Sequence, residues 1–346
     1  MGRSAIRARL WAAAVVALAS GMCVAGEDDS PDPRSAGALA ELIGAAAHHG
    51  PGTSGGGSST ISGETLKAGS FDFDLRLDFT EFRHFDREQA EAHAATAGEF
   101  DAVKRSLVTT VSGAYGVTDD IQVGASIGYY RASDFISAER DEETGDVESG
   151  RANPAGLTDL WLNGKARLMK GKPGNLAAIA GIKLPVGDDN ERLDNGELLE
   201  PSSQPGSGAF DFQLGLAYSR FLTPQLTMDA SGVYTFRTRH EGFKVGDRFD
   251  AGVALAYRLT QDIGAFPQWS VFAEVNGVWV QKDHASGEGA NPNTGGTTLF
   301  LTPGARVRFT PHVALTLAPS VPVVQDLNGD QDKTRLKVAA TVSVSF

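Results

Sequence analysis

The stretch from Phe71 to Phe79 alternates large apolar residues with charged residues. Successive side chains of a β-strand point to opposite faces, so the charged residues would share one face and the apolar residues the other. A row of charges on one face suits a water-filled lumen, where it would act on passing ions. The charges predicted to line such a lumen are Asp72, Asp74, Arg76, Asp78, Lys165, Arg167, Lys183, Glu274, Arg306 and Arg308.

Two interpretations of these charges remain open. Charged groups inside a barrel are costly unless they are paired or hydrated. They therefore either form ion pairs that fill a narrow lumen, or line a solvated path and select among ions. About eight strands enclose a lumen that side chains just fill and about sixteen leave an aqueous channel, so an intermediate number permits both arrangements.

The same alternation recurs in twelve segments after residue 70, and these are the elements that would position the charges. Their connections alternate between short and long, which is typical of outer-membrane barrels with short periplasmic turns and longer extracellular loops. The sequence therefore predicts an all-β fold: one transmembrane antiparallel β-barrel of about twelve strands, of the outer-membrane type, over residues 71–346. The predicted strands are 71–83, 105–116, 121–132, 157–168, 176–185, 209–221, 226–237, 248–259, 268–281, 298–309, 313–323 and 335–346.

Prolines interrupt the tenth and eleventh predicted strands at Pro303, Pro319 and Pro322. Proline removes a ladder hydrogen bond, and a closed barrel has no edge strand to accommodate it. We therefore expect a β-bulge or an early strand end in this region, on which the count of twelve depends.

The last segment, Leu336 to Phe346, has one apolar face and one small polar face, and it ends the sequence on an aromatic residue. It resembles the closing strand of bacterial outer-membrane barrels, in which the assembly machinery reads a terminal aromatic residue. That resemblance implies that Phe346 is an assembly signal and that the barrel-assembly machinery is a partner. An ordinary amphipathic strand is the alternative.

The first 70 residues differ from the rest of the sequence. Residues 1–25 have a basic start, a short apolar run and small residues before a cleavage site, which predicts a signal peptide for export. Residues 26–70 predict a flexible periplasmic segment with a short helix and a Gly/Ser-rich linker. A plug folded into the barrel mouth is the alternative for this segment.

Composition excludes several classes of function. The formal net charge of −12 argues against nucleic acid as a partner. The few histidines form no zinc-spaced pair on a strand or helix, and no nucleophile elbow appears, so we expect neither an enzyme nor a cofactor or bound metal. Asp326 to Asp332 partly matches a calcium loop, but a polar turn is the better interpretation.

Four segments resemble the bacterial "transporter" family named after the MetA pathway of phenol degradation, whose members are predicted outer-membrane barrels. The resemblance implies passage of small, hydrophobic or aromatic molecules across the outer membrane, and it brings no catalytic residues with it. It covers most of residues 71–346. The matching segments are Gly156–Leu160 leading into Lys165, Ile182–Asp188, Gly206–Asp211 and Val321–Gly329.

The sequence thus predicts a passive outer-membrane channel for a small solute in a Gram-negative cell, with lumen charges as its filter. A non-conducting structural or ligand-binding barrel is the second hypothesis, and an outer-membrane lipid hydrolase the third. The expected partners are outer-membrane lipid and lipopolysaccharide, the assembly machinery and the solute.

Overall fold

The computed structural model describes residues 56–141, 143–262, 264–287 and 289–346. Twelve antiparallel strands pair in chain order, and the first also pairs with the last, so the sheet closes into a barrel as predicted. The strands are β1 (Phe71–Phe82), β2 (Glu99–Thr118), β3 (Ile121–Arg140), β4 (Leu160–Met169), β5 (Asn175–Leu184), β6 (Asp211–Phe221), β7 (Leu226–Phe236), β8 (Arg248–Arg258), β9 (Gln268–Val280), β10 (Gly296–Arg308), β11 (Val313–Leu327) and β12 (Thr334–Ser345).

The alternating sequence pattern places apolar side chains outside and polar side chains inside, as β1 illustrates. Leu75 is 46% exposed, whereas the neighbouring Asp74 is 7% exposed. The exposed apolar faces form the outer wall, which in a membrane would be covered by lipid. Large outward-facing side chains of other strands include Val111, Leu214, Leu255, Val271 and Leu317.

The strands β2 and β3 are longer than the sequence pattern predicts. Each has 20 residues, and most of the additional residues fall in the long connections between predicted strands, 84–104 and 133–156. These extensions pair with each other, with Phe100 opposite Ala138. Phe100 is 1% exposed in a small apolar cluster beyond the end of β1, so local packing extends the hairpin where the lipid-facing alternation has ended.

A helix, α1 (Arg87–Ala97), lies between β1 and β2 and was not predicted. Asp86 and Gln89 form a capping box that satisfies amides at its N-terminus. Ala90 and Ala94 are buried in the cluster formed with the β2–β3 extension. No helix among the described residues is long and apolar enough to cross a membrane. Short strands Val147–Ala152, Ala155–Leu157, Phe243–Lys244, His284–Ala285 and Gly289–Ala290 lie outside the twelve.

The strands β10 and β11 continue past the three prolines. The register shifts between Leu299, which lies opposite Val324, and Phe300, which lies opposite Pro322. One extra residue therefore lies beside Pro322, which matches the β-bulge expected there. The count of twelve strands is unaffected.

Candidate functional site

Residues 56–70, which we call the plug, run from the lumen of the barrel to an exposed turn before β1. They enter from the end with the short turns, where the amide of Gly69 donates to the carbonyl of Gly116 (2.8 Å). Farther along the lumen, the amide of Gly63 donates to Ser219 Oγ (2.8 Å). Short turns mark the periplasmic end of outer-membrane barrels, so the plug enters from that side.

The plug differs from the flexible periplasmic tail that the sequence predicts over 26–70. Its backbone is bonded to lumen side chains, which removes the freedom expected of a Gly/Ser-rich segment. Residues 1–55, which include the predicted signal peptide and short helix, lie outside the described part of the chain.

Glu274 binds the inner end of the plug. Its carboxylate accepts hydrogen bonds from three successive amides, those of Ser58 (2.8 Å), Ser59 (3.0 Å) and Thr60 (3.4 Å). Successive amides that converge on one anion form a strong binding arrangement, because hydrogen bonds to a charged group are stronger than neutral ones. Glu274 is 1% exposed, so water does not compete for these bonds. We call this arrangement the latch.

Cationic side chains of the lumen wall also bind the plug, but they donate hydrogen bonds to its carbonyl groups. Three of the side chains predicted to line the lumen contact the plug in this way. Arg76 donates to the carbonyl of Ser58 (2.7 Å), Lys165 to that of Ser62 (3.1 Å) and Arg306 to that of Gly57 (3.1 Å).

Other predicted lumen charges are bonded within the wall. Asp72 accepts from Ser345 Oγ at 2.7 Å, and Asp74 accepts from Ser343 Oγ. Lys183 lies between Asp159 (3.0 Å), which immediately precedes β4, and Asp211 (2.6 Å), the first residue of β6. Each of these residues is less than 9% exposed. Each one is held within the wall by an ion pair or a hydrogen bond.

Two predicted lumen residues lie near the periplasmic end, away from the middle of the lumen. Arg167 pairs with Asp120 (2.7 Å) in the turn between β2 and β3. Arg308 is the last residue of β10 and is 7% exposed. Phe346, the predicted assembly signal, is 69% exposed and exchanges backbone hydrogen bonds with Phe71 (2.9 and 3.1 Å).

Two arginines on the extracellular side of the latch each make a bidentate ion pair along their own strand. Arg76 donates to both oxygens of Asp78 (2.7 and 2.8 Å), and Arg248 to both oxygens of Asp250 (2.7 Å each). Planar arginine matches a carboxylate in this geometry, so each pair is close to neutral as a unit.

Lys337 lies between these two pairs, and sequence reasoning did not select it. Its Nζ lies 4.7 Å from the centre of the Phe300 ring. Among the described residues it makes neither an ion pair nor a hydrogen bond. Its position on the polar face of β12 was visible in the sequence, but its lack of a carboxylate partner depends on the register of the neighbouring strands.

Cavities extend from the extracellular mouth to the plug. An outer cavity of about 450 Å³ lies among the loops, and a chamber of about 150 Å³ lies below it, with Arg248 and Val278 lining both. Ser59 and Ile61 of the plug form the floor of the chamber. A side cavity of about 280 Å³ lies beyond Ile61, against β1 to β5.

The outer cavity is rich in carboxylates. Glu99, Asp101 and Glu200 place oxygens within 4.8 Å of one another, and in the described part of the chain they form the one group of three that could share a metal ion. Burial, and then the negative charges of Glu99 and Asp101, raise the pKa of Glu200 to about 8. Burial also raises the pKa of Asp332 to about 7.

Comparison with solved structures shows the fold. The COG4313 outer membrane channel from Pseudomonas putida F1 is 12% identical, with 82% of this chain and 97% of that chain covered and a TM-score of 0.55. The translocator domain of autotransporter NalP from Neisseria meningitidis is 14% identical, with 97% of each chain covered and a TM-score of 0.44. The P. putida toluene transporter TodX is 11% identical, with 81% and 89% covered and a TM-score of 0.38. No curated protein matches the chain significantly.

Comparison with family models confirms the resemblance found in the sequence. The family described as "Putative MetA-pathway of phenol degradation" matches residues 49–320. The match takes in the plug and β1 to β10, which is well over half of the chain. The chain therefore belongs to this family.

Proposed function

We propose that the protein is an outer-membrane channel for passive passage of a small hydrophobic or aromatic solute. The observation that carries this proposal is the succession of outer cavity and chamber, which leads from the extracellular mouth to the plug. The family description, which concerns phenol degradation, supports an aromatic solute. Passage to the periplasm then requires the plug to move, since it forms the floor of the chamber.

The same proposal includes how the protein reaches its membrane and what it meets there. We also propose that a signal peptide over residues 1–25 directs export and that the barrel-assembly machinery assembles the barrel. The outer wall is then in contact with lipid and lipopolysaccharide. The exposed apolar wall supports the contact with lipid. We propose no catalytic role for any residue of the lumen.

Uptake by intact cells tests the channel. Cells that express the protein should accumulate labelled phenol faster than cells with the empty vector, because the outer membrane slows entry of such solutes. Ser320 lines the chamber, whereas its neighbour Val321 faces outward and is 43% exposed. Ser320→Trp should therefore remove the gain and Val321→Trp should keep it. Equal uptake with and without the protein would overturn the proposal.

A non-conducting barrel is the second candidate, and the latch is the observation that favours it. Glu274 and three lumen cations bond to the plug backbone, which closes the lumen at mid-height. Recordings of the purified full chain in planar bilayers separate the candidates. A closed barrel predicts no conductance, either in the wild type or after the latch is weakened, whereas a channel predicts that weakening the latch raises conductance.

A further inference from the structure

The cationic side chain of Lys337 is exceptional among the charges that surround the chamber. The charges that act on it are those of Arg76, Asp78, Arg248 and Asp250. Those four form two bidentate pairs, so three cations and two carboxylates leave a net charge of +1 centred on Lys337. Arg76 and Arg248 each pair with a carboxylate, whereas the ammonium group of Lys337 lies over the face of Phe300.

The chamber combines this charge with an apolar surface. Phe300, Val278, Val233 and Ile61 contribute apolar lining beside Lys337. A volume of about 150 Å³ is below the range of about 300 Å³ and above in which drug-sized ligands bind, so the chamber suits a smaller molecule. A cation in a site of low dielectric constant binds an anion more strongly than it would in water.

We propose that Lys337 is the specificity-determining residue of the chamber, where it binds the carboxylate of a small organic acid whose apolar body packs on Phe300. This inference rests on the proposed channel function, because it names the class of solute that the same lumen accepts. A neutral aromatic compound would fill the apolar part of the chamber and leave the ammonium group without an anion.

The outer cavity does not prevent an anion from reaching Lys337. Arg237 lines the same cavity and offsets part of the negative charge of its carboxylates. The raised pKa values of Glu200, about 8, and Asp332, about 7, further reduce its negative charge near neutral pH. Arg248 lines both cavities, and its pair with Asp250 adds no net negative charge between them.

Calorimetric binding of benzoate and of benzyl alcohol to the purified full chain tests this proposal. The two probes have similar apolar bodies and differ in charge. The wild type should bind benzoate at least about tenfold more tightly than benzyl alcohol, as expected for a charge-assisted hydrogen bond. Lys337→Met should lose this preference, Lys337→Arg should retain it, and Lys172→Met, in an exposed turn, should not change it.

Heat-modifiable mobility on gels shows whether each variant is folded. If Lys337→Met does not fold, Lys337→Arg still tests the proposal, because the arginine variant should still prefer benzoate. Equal affinity for the two probes in the wild type, or an unchanged preference in a folded Lys337→Met, would overturn the inference. Cellular uptake is measured separately. Absence of uptake with charge-selective binding would contradict the channel and leave the binding site supported.

Discussion

Single residues on the lumen wall make several hydrogen bonds to the plug, and Glu274 is the clearest example. One carboxylate accepts from three amides of a segment that is more than 200 residues distant in sequence. A pattern in the sequence places Glu274 inside the barrel, but its partners depend on how the plug folds. The sequence pattern likewise places Lys337 on the polar face of its strand, but it does not show whether a carboxylate lies beside it. Within the described part of the chain, Lys337 has no carboxylate partner because Asp78 and Asp250 are paired with arginines of their own strands.

Glu274→Gln should weaken the latch. The neutral amide retains one acceptor oxygen and loses the charge, and hydrogen bonds to charged groups contribute about 1.5–3 kcal/mol against about 1 kcal/mol for neutral ones. We expect the plug to be held more weakly by about 1–3 kcal/mol and single-channel conductance to rise. Glu143→Gln, in an exposed loop, is the control. Identical conductance in the wild type and Glu274→Gln would show that Glu274 does not hold the plug.

Glu200 should make the extracellular loops sensitive to pH. Burial and the facing charges of Glu99, Asp101 and Asp283 raise its pKa to about 8, so the folded loops bind its proton more tightly than the unfolded chain does. The stability that it contributes is therefore complete below its unfolded value and is lost as pH rises through about 8. Proteolysis of the loops should accelerate between pH 6 and about 8.5 in the wild type. Glu200→Gln should flatten this rise, and an equally steep rise would contradict the assignment.

The barrel strands could be predicted at the scale of elements because each one must present an apolar face to lipid. Apolar residues therefore recur at every second position of a strand. This alternation was sufficient to predict the twelve strands, and the prolines were sufficient to predict the bulge near Pro322. The extensions of β2 and β3 are not in contact with lipid, so their sequence lacks the signal. The plug has no hydrophobic period at all, because its backbone makes most of its contacts.

Adjacent positions on β2 test the assignment of faces. Val111 points outward and is 54% exposed, whereas Ser112 lines the side cavity. Arg at a lipid-facing position near the midplane costs about 2–4 kcal/mol, whereas a lumen position allows hydration. Val111→Arg should therefore lower the free energy of unfolding in lipid by about that amount, and Ser112→Arg should lower it clearly less. Equal losses would show that the register of β2 is wrong.

The closing strand should depend on its last residue. Phe346 exchanges backbone hydrogen bonds with Phe71, and its ring contacts that of Phe73 at 6.4 Å between centres. Deleting Phe346 removes these contacts and the predicted assembly signal, so the yield of heat-modifiable barrel in the outer membrane should fall. Phe346→Tyr, which keeps an aromatic terminus, should restore it. A normal yield after the deletion would remove the assembly role from Phe346.

The distribution of charge over the whole lumen alters an expectation that follows from β1 alone. Three aspartates and one arginine on that strand predict a cation-selective lumen, but the charge of Arg306 acts on Asp72 and Asp74, and Asp78 pairs with Arg76. The charge that remains beside the chamber is the positive one of Lys337. The net charge beside the chamber thus depends on residues contributed by several strands, which the sequence of one strand does not contain.

Asp78→Asn should shift the reversal potential towards anions, because it leaves Arg76 without its partner beside Lys337. Asp74→Asn should shift it less, since Asp74 lies deeper in the wall and is bonded to Ser343. Both shifts should shrink at high salt, where charges are screened over about 3 Å at 1 M. Opposite ranking of the two variants would contradict this account of the lumen charges.

The latch and the lumen cations bind the plug mainly through its peptide groups, so the barrel holds part of its own chain much as it would hold a peptide ligand. The hydroxyl groups of Ser58, Thr60 and Ser62 add hydrogen bonds to the wall, and glycine is required where the wall is closest. A Cβ atom at Gly57 would collide with Glu274, and one at Gly63 with the carbonyl of Asn175. A low-complexity segment with the composition of a flexible linker thus binds at a defined place inside the barrel. Gly/Ser-rich segments that precede other barrels can be searched for the same spacing of glycines.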